Sequence, residues 1–265
     1  MSQFDLTDEQ RQIQDMARQF TADAITPHAA LWDEKHIFPR DTIRQAAELG
    51  FGSIYVSEES GGIGLGRLEA ALIMEAMAYG CPSTSAFISI HNMAAWMIDR
   101  FGSAPVKDKY LPSMVTMERI GSYCLTEPGS GSDAAALKTR AVKDGGDYVV
   151  TGSKAFISGG GENEIYVTMV RTGQEGPKGI SCLVIEKDMN GVSFGAQERK
   201  LGWHSQPTRF SAGTLTSSKL TIAVGCECQP SLRSWAPKLT PFMSFSMTRQ
   251  LIPFGPSWPV RTIVT

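Results

Sequence analysis

The stretch from Tyr123 to Asp133 concentrates small polar residues in a form that could bind a planar or phosphorylated group. It reads YCLTEPGSGSD and holds two glycines and two serines within four positions. Such a loop exposes backbone N–H groups and small hydroxyls at close range, and these can hydrogen-bond the edge of a flat ring or a phosphate. Taken alone, the composition is more typical of a plain surface turn.

A second segment, KAFISGGGE at residues 154–162, could form the other side of such a site. Phe156 and Ser158 lie two positions apart on a predicted strand, hence on the same face, just before three glycines. An aromatic ring there could lie against a planar cofactor while the serine reaches one of its ring nitrogens. By itself, the segment is better explained as the end of a strand with a buried phenylalanine.

Two titratable residues, one inside the first segment and one far before it, are better explained by structure than by catalysis. Glu127 precedes Pro128, and we interpret its carboxylate as a structural hydrogen-bond acceptor rather than a base. His91 lies in a largely apolar run and is interpreted as a buried histidine whose hydrogen bonds are satisfied. The sequence therefore offers a binding loop without an obvious catalytic group.

These segments need elements to position them, and residues 1–118 are predicted to be a helical domain. Thr7 and Gln10 form a capping box, after which apolar residues keep helical spacing until Pro27. Further helices are predicted from Pro39 to Gly50, from Leu68 to Gly80 and from Ser83 to Phe101. The last of these is apolar on nearly every face, so it should lie at the centre of the domain.

Residues 119–209 are predicted to form an antiparallel β domain of the sandwich or barrel type, which makes the fold class α+β. Short β-prone runs alternate there with turns containing Gly, Asp and Pro. The stretch from Asp144 to Asp147 is a strong hairpin signal. The runs are 122–126, 148–151, 155–158, 165–170 and 180–186.

Residues 210–265 differ from both domains. They are rich in Ser, Thr and Pro, contain a single acidic residue, Glu227, and keep no helical or strand period. We predict an irregular tail there.

Composition excludes several kinds of function. The chain has 265 residues with a formal net charge of -2, which gives no uniform field to attract nucleic acid or an anionic membrane. No apolar run is long enough to span a bilayer, and no signal peptide or presequence is evident at the N-terminus. The five cysteines form no CxxC pair or zinc-ligand pattern, so we expect no metal site and free thiols in a reducing compartment.

Together, the two segments resemble the signature of the acyl-CoA dehydrogenase family. The likeness extends over residues 4–209. It includes Phe4–Thr7, Gly61–Gly64, Ile88–Met93, Gly176–Ser181 and Gly202–Arg209. The SIHNM and SQPTR motifs most resemble those of the branch of the family that acts on isobutyryl-CoA.

The resemblance implies that the two segments contact FAD. The implied flavin-binding residues are Tyr123, Cys124, Leu125, Thr126, Glu127, Pro128, Gly129, Ser130, Gly131, Ser132, Phe156, Ile157 and Ser158. Thr126 would bond the pyrimidine edge of the flavin, and Ser132 would also contact the acyl-CoA substrate. Many members of the family have Trp in place of Phe156, and the apolar face survives that change.

The resemblance also implies an activity and partners. Family members dehydrogenate acyl-CoA between the α and β carbons, pass electrons to an electron-transferring flavoprotein, form homotetramers and work in the mitochondrial matrix, here in valine breakdown. Their base and a four-helix bundle lie in a C-terminal domain, and the likeness stops after Arg209. Two hypotheses remain open: an FAD-dependent acyl-CoA dehydrogenase, or a catalytically incompetent fragment that binds weakly or associates with full-length relatives.

Overall fold

The computed structural model describes residues 5–145, 147–198, 207–217 and 221–222. Its N-terminal part is helical. The helices are α1 (Asp8–Phe20), α2 (Ala29–Lys35), α3 (Arg40–Glu48), α4 (Arg67–Gly80), α5 (Pro82–Phe101) and α6 (Ala104–Val115). A π-helical turn, Thr21–Ile25, follows α1 directly. The helical character predicted for this part of the chain is confirmed.

The local signals in the sequence located four of these helices. Thr7 caps α1 as predicted, since its hydroxyl accepts from the N–H of Gln10 while the Gln10 side chain accepts from the N–H of Thr7. The pattern did not separately locate α2 and α6. The first has only seven residues, and the second contains Pro112, which lacks the N–H that a helix interior uses.

Helix α5 lies at the centre of the helical part, as its apolar sequence predicted. Phe87, Ile88 and Ile98 are almost completely buried. The buried Asn92 accepts from the N–H of Ile54 at 2.7 Å and donates to the carbonyl of Phe51 at 2.7 Å. A polar side chain in this core therefore fixes the loop after α3 against α5.

The second part of the chain is a sheet of eight strands within the described residues. They are β1 (Gly121–Cys124), β2 (Arg140–Asp144), β3 (Asp147–Ser158), β4 (Ile165–Arg171), β5 (Ile180–Glu186), β6 (Val192–Gln197), β7 (Pro207–Ser217) and β8 (Thr221–Ile222). The strand order is β6-β7-β3-β2-β4-β5-β8, and β1 pairs with β4. The predicted hairpin is present, since Asp144 pairs with Asp147.

The sheet is mixed rather than antiparallel throughout, which corrects the prediction. Strand β1 runs parallel to β4 along four residue pairs, and β2 meets β4 in a parallel bridge between Arg140 and Arg171. The remaining pairings are antiparallel. Periodicity shows that a segment is a strand, but the direction of its neighbour depends on distant connections.

The sheet curls around its own aromatic core. The ring of Tyr166 in β4 lies 5.3 Å from that of Phe194 in β6, although three strands separate β4 from β6 in the sheet. The ring of Phe210 in β7 stacks on Tyr166 at 5.1 Å. These contacts bring distant strands face to face, as in the sandwich-like or barrel-like domain that we predicted.

Strand β7 crosses residue 209, where the sequence predicted the β domain to end. Phe210 and Ala212 are buried in the sheet core, so the sheet continues into the segment predicted to be irregular. The pairing of β7 with β3 and β6 supplies the order that local composition did not indicate. Apart from β8 (Thr221–Ile222), the rest of the predicted tail, with Glu227, lies outside the described residues, as do Ser205 and Gln206 of the SQPTR segment.

Ionic contacts join the helices to the sheet. Arg40 of α3 pairs with Glu164 at 2.9 Å, and the same carboxylate accepts from the N–H of Ile120. Glu186 of β5 accepts from Tyr110 of α6 at 2.8 Å and pairs with Arg119 at 3.2 Å. Both junctions are only partly exposed, so the two parts of the chain are held in a defined orientation.

Further features of the described residues bear on the functions considered above. No helix among them combines the length and apolarity needed to cross a bilayer. They contain no cluster of three or more His, Cys, Asp or Glu side chains placed to hold a metal ion. Cys81, Cys124 and Cys182 are buried free thiols.

His91 ties α5 to the start of the sheet. Its Nδ1 accepts from the N–H of Gly121 at 2.9 Å, and its Nε2 lies 2.9 Å from the carbonyl oxygen of Met114. Because a carbonyl only accepts, Nε2 carries the proton and the ring is neutral. Burial lowers the pKa of His91 from 6.5 to about 4. The interpretation of His91 as a satisfied buried histidine is confirmed.

We expect the stability of the chain to depend on the protonation of His91. The folded-state pKa lies below the unfolded value, so this contribution is complete above the unfolded pKa and is lost progressively as pH falls from the unfolded value to the folded one. Between about pH 7.5 and about pH 5.5 the free energy of unfolding should fall by about 1 kcal/mol through this residue. Urea unfolding of the wild type and of His91→Gln measures it. The variant should be less stable at the higher pH but lose less stability across the window, and equal losses would contradict the assignment.

Candidate functional site

A buried ion pair connects the two segments that the sequence singled out. Lys154 of β3 is fully buried, and its Nζ lies 2.8 Å from Oε1 of Glu127 in the loop after β1. The same Nζ donates to the carbonyl of Leu125 at 3.0 Å. The backbone adds a further bond, since Ala155 donates to the carbonyl of Thr126 at 2.8 Å. The loop and the end of β3 therefore form one unit.

The carboxylate of Glu127 is occupied by structural donors. It accepts from Lys154 and from the N–H groups of Lys138 and Thr139, at 2.6 and 2.9 Å. Burial alone would raise the pKa of Glu127, but these donors outweigh burial and lower it below its ordinary value. A carboxylate so held is a poor proton acceptor, which agrees with its interpretation as a structural acceptor.

The loop after Glu127 is a tight turn that presents small residues to solvent. Glu127 and Ser130 exchange backbone hydrogen bonds of 2.9 and 3.1 Å. The Ser130 hydroxyl is turned inward and donates to the carbonyl of Asp133 at 2.6 Å. Within this loop, the exposed members of the predicted set are Pro128, Gly129, Gly131 and Ser132. These four residues, rather than the side chain of Ser130, could therefore meet a ligand, the two glycines through their backbone.

Thr126 retains free polar groups at the junction of the two segments. It is partly buried, and its carbonyl is bound to Ala155. Within the described part of the chain, neither its hydroxyl nor its N–H makes a hydrogen bond. Polar groups left partly buried without a protein partner are suited to a ligand.

Phe156 lies in a β-bulge with an uncommon backbone conformation. The pairing of β3 with β7 shifts between Lys154 and Ile157, and Phe156 has a φ of 58°. Its side chain is 51% exposed, whereas Ser158 is 8% exposed. The bulge interrupts the strict alternation on which the shared face of Phe156 and Ser158 was predicted, and the alternative of a buried phenylalanine is wrong. A bulky residue with positive φ marks strain, which concentrates at functional sites.

Other predicted residues face the core of the sheet. Cys124 and Ile157 are buried with Tyr166 in the aromatic core, so a ligand could meet only their backbone. Burial raises the pKa of the Cys124 thiol to about 12, which leaves it protonated and unreactive. Tyr123 does not belong to this core and is partly buried, which raises the pKa of its hydroxyl.

A cleft that the sequence did not indicate begins directly after Ser132. It has a volume of about 730 Å³ and is lined in part by Asp133, Lys138 and Arg140. Arg171 forms one wall but is occupied, since its guanidinium donates to the carbonyls of Ala135, Leu137, Gln174 and Gly176. The exposed Lys138 and Arg140 are thus the cations available at this cleft. No motif marked the cleft, because its two walls come together only when β2 lies beside β4.

The fold and the site together define the class of protein. Two family models match the chain: the acyl-CoA dehydrogenase N-terminal domain over residues 7–118 and the acyl-CoA dehydrogenase middle domain over residues 122–212. The chain belongs to the acyl-CoA dehydrogenase family.

Two curated relatives with high identity to this chain are isobutyryl-CoA dehydrogenases. The chain is 60% identical over 205 residues to the mitochondrial isobutyryl-CoA dehydrogenase of Dictyostelium discoideum, which is 77% of this chain and 49% of that protein. It is 56% identical over 204 residues to the same enzyme of Bos taurus, again 77% of this chain and 49% of the relative. The chain thus spans about half the length of these relatives.

Solved structures share the fold. Butyryl-CoA dehydrogenase from Megasphaera elsdenii matches with a TM-score of 0.76 and 29% identity, over 83% of this chain and 58% of that one. An FAD complex of PigA matches with a TM-score of 0.77 and 28% identity, over 84% of this chain and 60% of that one.

We expect Lys154 to be necessary for the stability of the β domain. Lys154→Met leaves the carboxylate of Glu127 buried without its counter-ion, which should lower the free energy of unfolding by about 3 kcal/mol or more. Adding Glu127→Gln should recover part of the loss because the buried charge is then removed. Arg18→Ala is the control, since its pair with Asp15 is exposed and should change stability by less than about 0.5 kcal/mol. A small effect of Lys154→Met in denaturant titrations would refute the central role of this pair.

We expect the strain at Phe156 to be measurable. Asn tolerates positive φ better than Phe, so Phe156→Asn should raise the free energy of unfolding by about 1 kcal/mol. Val142→Asn is the matched control, because Val142 in β2 is similarly exposed (49%) but is not among the residues with positive φ. Its substitution should be neutral or destabilising. Thermal or urea unfolding compares the two, and equal destabilisation would show that Phe156 is not strained.

Proposed function

We propose that this chain supplies the FAD- and acyl-CoA-contacting part of an acyl-CoA dehydrogenase that acts on short branched substrates such as isobutyryl-CoA. The observation that carries the proposal is the joining of the two segments by the Lys154–Glu127 pair, which brings Thr126 beside the bulge at Phe156. A polar edge and an exposed aromatic ring are thereby held together on a rigid sheet.

The residues present fit a flavin. Thr126 offers a hydroxyl and an N–H without partners in the described residues, which suits the hydrogen-bonding edge of the ring system. The half-exposed ring of Phe156 offers an apolar surface. The FAD complex of PigA, which shares this fold, supports the choice of cofactor. When bound, FAD accepts the hydride that leaves the substrate. The role proposed for the side chains of Thr126 and Phe156 is to orient the flavin and to stabilise its reduced form.

The cleft beside Ser132 fits the substrate. Coenzyme A carries several phosphates, and Lys138 and Arg140 place positive charge where the cleft begins. Ser132 is exposed between the flavin-binding loop and this cleft, in a position to contact the acyl-CoA. A glutaryl-CoA dehydrogenase solved with glutaryl-CoA shares the fold at a TM-score of 0.76 and 30% identity, over 82% of this chain and 56% of that one.

The remaining assignments follow from the relatives. A mitochondrial location and a role in valine breakdown are proposed from the isobutyryl-CoA dehydrogenases. An electron-transferring flavoprotein is proposed as the electron acceptor, and a homotetramer as the assembly of the whole protein. We assign no catalytic base among the residues of the site, because Glu127 is held by Lys154.

We expect FAD affinity to depend on Thr126. Thr126→Ala removes the free hydroxyl and should raise the dissociation constant for FAD about tenfold, the value of one good hydrogen bond. Thr151→Ala, at an exposed position of the same strand as Phe156, should leave affinity unchanged. Titration followed by flavin fluorescence measures both, and the absence of FAD binding by the wild type would refute the proposed function.

A second measurement separates binding from turnover. Anaerobic addition of isobutyryl-CoA to the FAD-loaded chain should bleach the flavin absorbance if the chain is active as it stands. Binding without bleaching would instead support the hypothesis that the 265-residue chain is catalytically incompetent by itself.

A further inference from the structure

We infer that Ser122 and Asn163 are positioning residues that set the orientation of Ser158 toward the flavin. The inference rests on the proposed function, because Ser158 is one of the residues that would contact FAD. Neither Ser122 nor Asn163 was singled out as a site residue from the sequence. Both are completely buried.

The two residues form a hydrogen-bond relay that ends on Ser158. The hydroxyl of Ser122 lies 2.7 Å from the carbonyl oxygen of Ser158 and must donate to it, because a carbonyl only accepts. The other partner of that hydroxyl must therefore be a donor. The side-chain amide of Asn163 fills this role at 2.9 Å. The directions of both bonds are thus determined by chemistry.

Ser122 holds the end of β3 from the side of β1. Ser158 is the last residue of β3, and its carbonyl accepts from the Ser122 hydroxyl. Three residues earlier in the same strand, Ala155 donates to the carbonyl of Thr126 in the loop after β1. The orientation of the peptide after Ser158 therefore depends on a side chain from β1.

Other bonds hold the glycine-rich turn after Ser158 without reaching Ser158 itself. Arg40 donates to the carbonyl of Glu162, and Lys187 donates to that of Gly161. Tyr166 donates to the carbonyl of Asn163 at 2.8 Å. The far side of the turn is thus fixed from the helical domain and from the sheet. In the described residues, Ser122 provides the side-chain contact to the backbone of Ser158.

Asn163 carries a feature that stability alone does not explain. Its Oδ1 is buried and has no hydrogen-bond partner among the described residues. An unpaired buried acceptor destabilises a fold. The space around it is also tight, because a Cβ added at Gly159 would lie 2.3 Å from Nδ2 of Asn163. The amide is therefore held close to the turn at some cost, which is consistent with a role in shaping the site.

The test compares two serine substitutions in the same sheet, using the full 265-residue chain. Ser122→Ala removes the relay. Ser153→Ala removes a different hydroxyl, which lies away from the site and is 2.9 Å from the hydroxyl oxygen of Ser211. We expect Ser122→Ala to weaken FAD binding about tenfold and to shift the visible absorption band of bound flavin. Ser153→Ala should leave both unchanged. If Ser122→Ala does not fold, Ser122→Cys keeps the size of the side chain with a weaker donor and should show a smaller change in the same direction.

A double-mutant comparison tests whether Asn163 acts through Ser122. Asn163→Ala should weaken FAD binding less than Ser122→Ala, and the double variant should bind no worse than Ser122→Ala alone. Independent, additive effects would overturn the relay. Flavin affinity and spectrum identical for Ser122→Ala and Ser153→Ala would overturn this inference while leaving the proposed function intact. A wild-type chain that does not bind FAD would overturn both.

Discussion

Lys154 carries a positive charge in the interior of the sheet, and the carboxylate of Glu127 stabilises that charge. The pair spans the gap between the loop after β1 and the end of β3. Around it are the bonds from Lys154 to the carbonyl of Leu125 and from Ala155 to that of Thr126. A buried pair contributes little net stability, yet breaking it is costly, so it specifies one arrangement of the loop. Thr126, Ser132 and Phe156 depend on that arrangement for their positions.

The backbone around Phe156 is strained, and the bonds on either side of it hold it in place. Phe156 is held with positive φ in a bulge, and its neighbours in the strand are anchored by Lys154 on one side and by the Ser122–Ser158 bond on the other. A conformation of this kind persists only when its surroundings determine it. The ring can then remain half exposed and ready for a ligand. Arg40 and Glu164 extend the constraint into the helical domain, so the site rests on both parts of the chain.

The local sequence predicted the helices and turns better than it predicted which strands pair and in which direction. The capping box at Thr7, the buried helix that contains Phe87 and the hairpin at Asp144 were all evident, because each depends on neighbours within a few residues. The parallel pairing of β1 with β4 was not, since it joins segments some forty positions apart. The extension of β7 beyond residue 209 was missed for the same reason: its order comes from pairing with β3 and β6.

For the site, the sequence by itself determined the chemical groups: a loop of small polar residues, an aromatic residue before three glycines, and a family likeness carried by those motifs. Only the tertiary structure decided what each group is free to do. In the folded chain Glu127 is paired with Lys154, Phe156 is exposed in a bulge, Cys124 and Ile157 lie in the core, and Ser122 bonds the carbonyl of Ser158. The physical reason is that the availability of a polar or aromatic group depends on which partners surround it, and those partners come from strands distant in the chain.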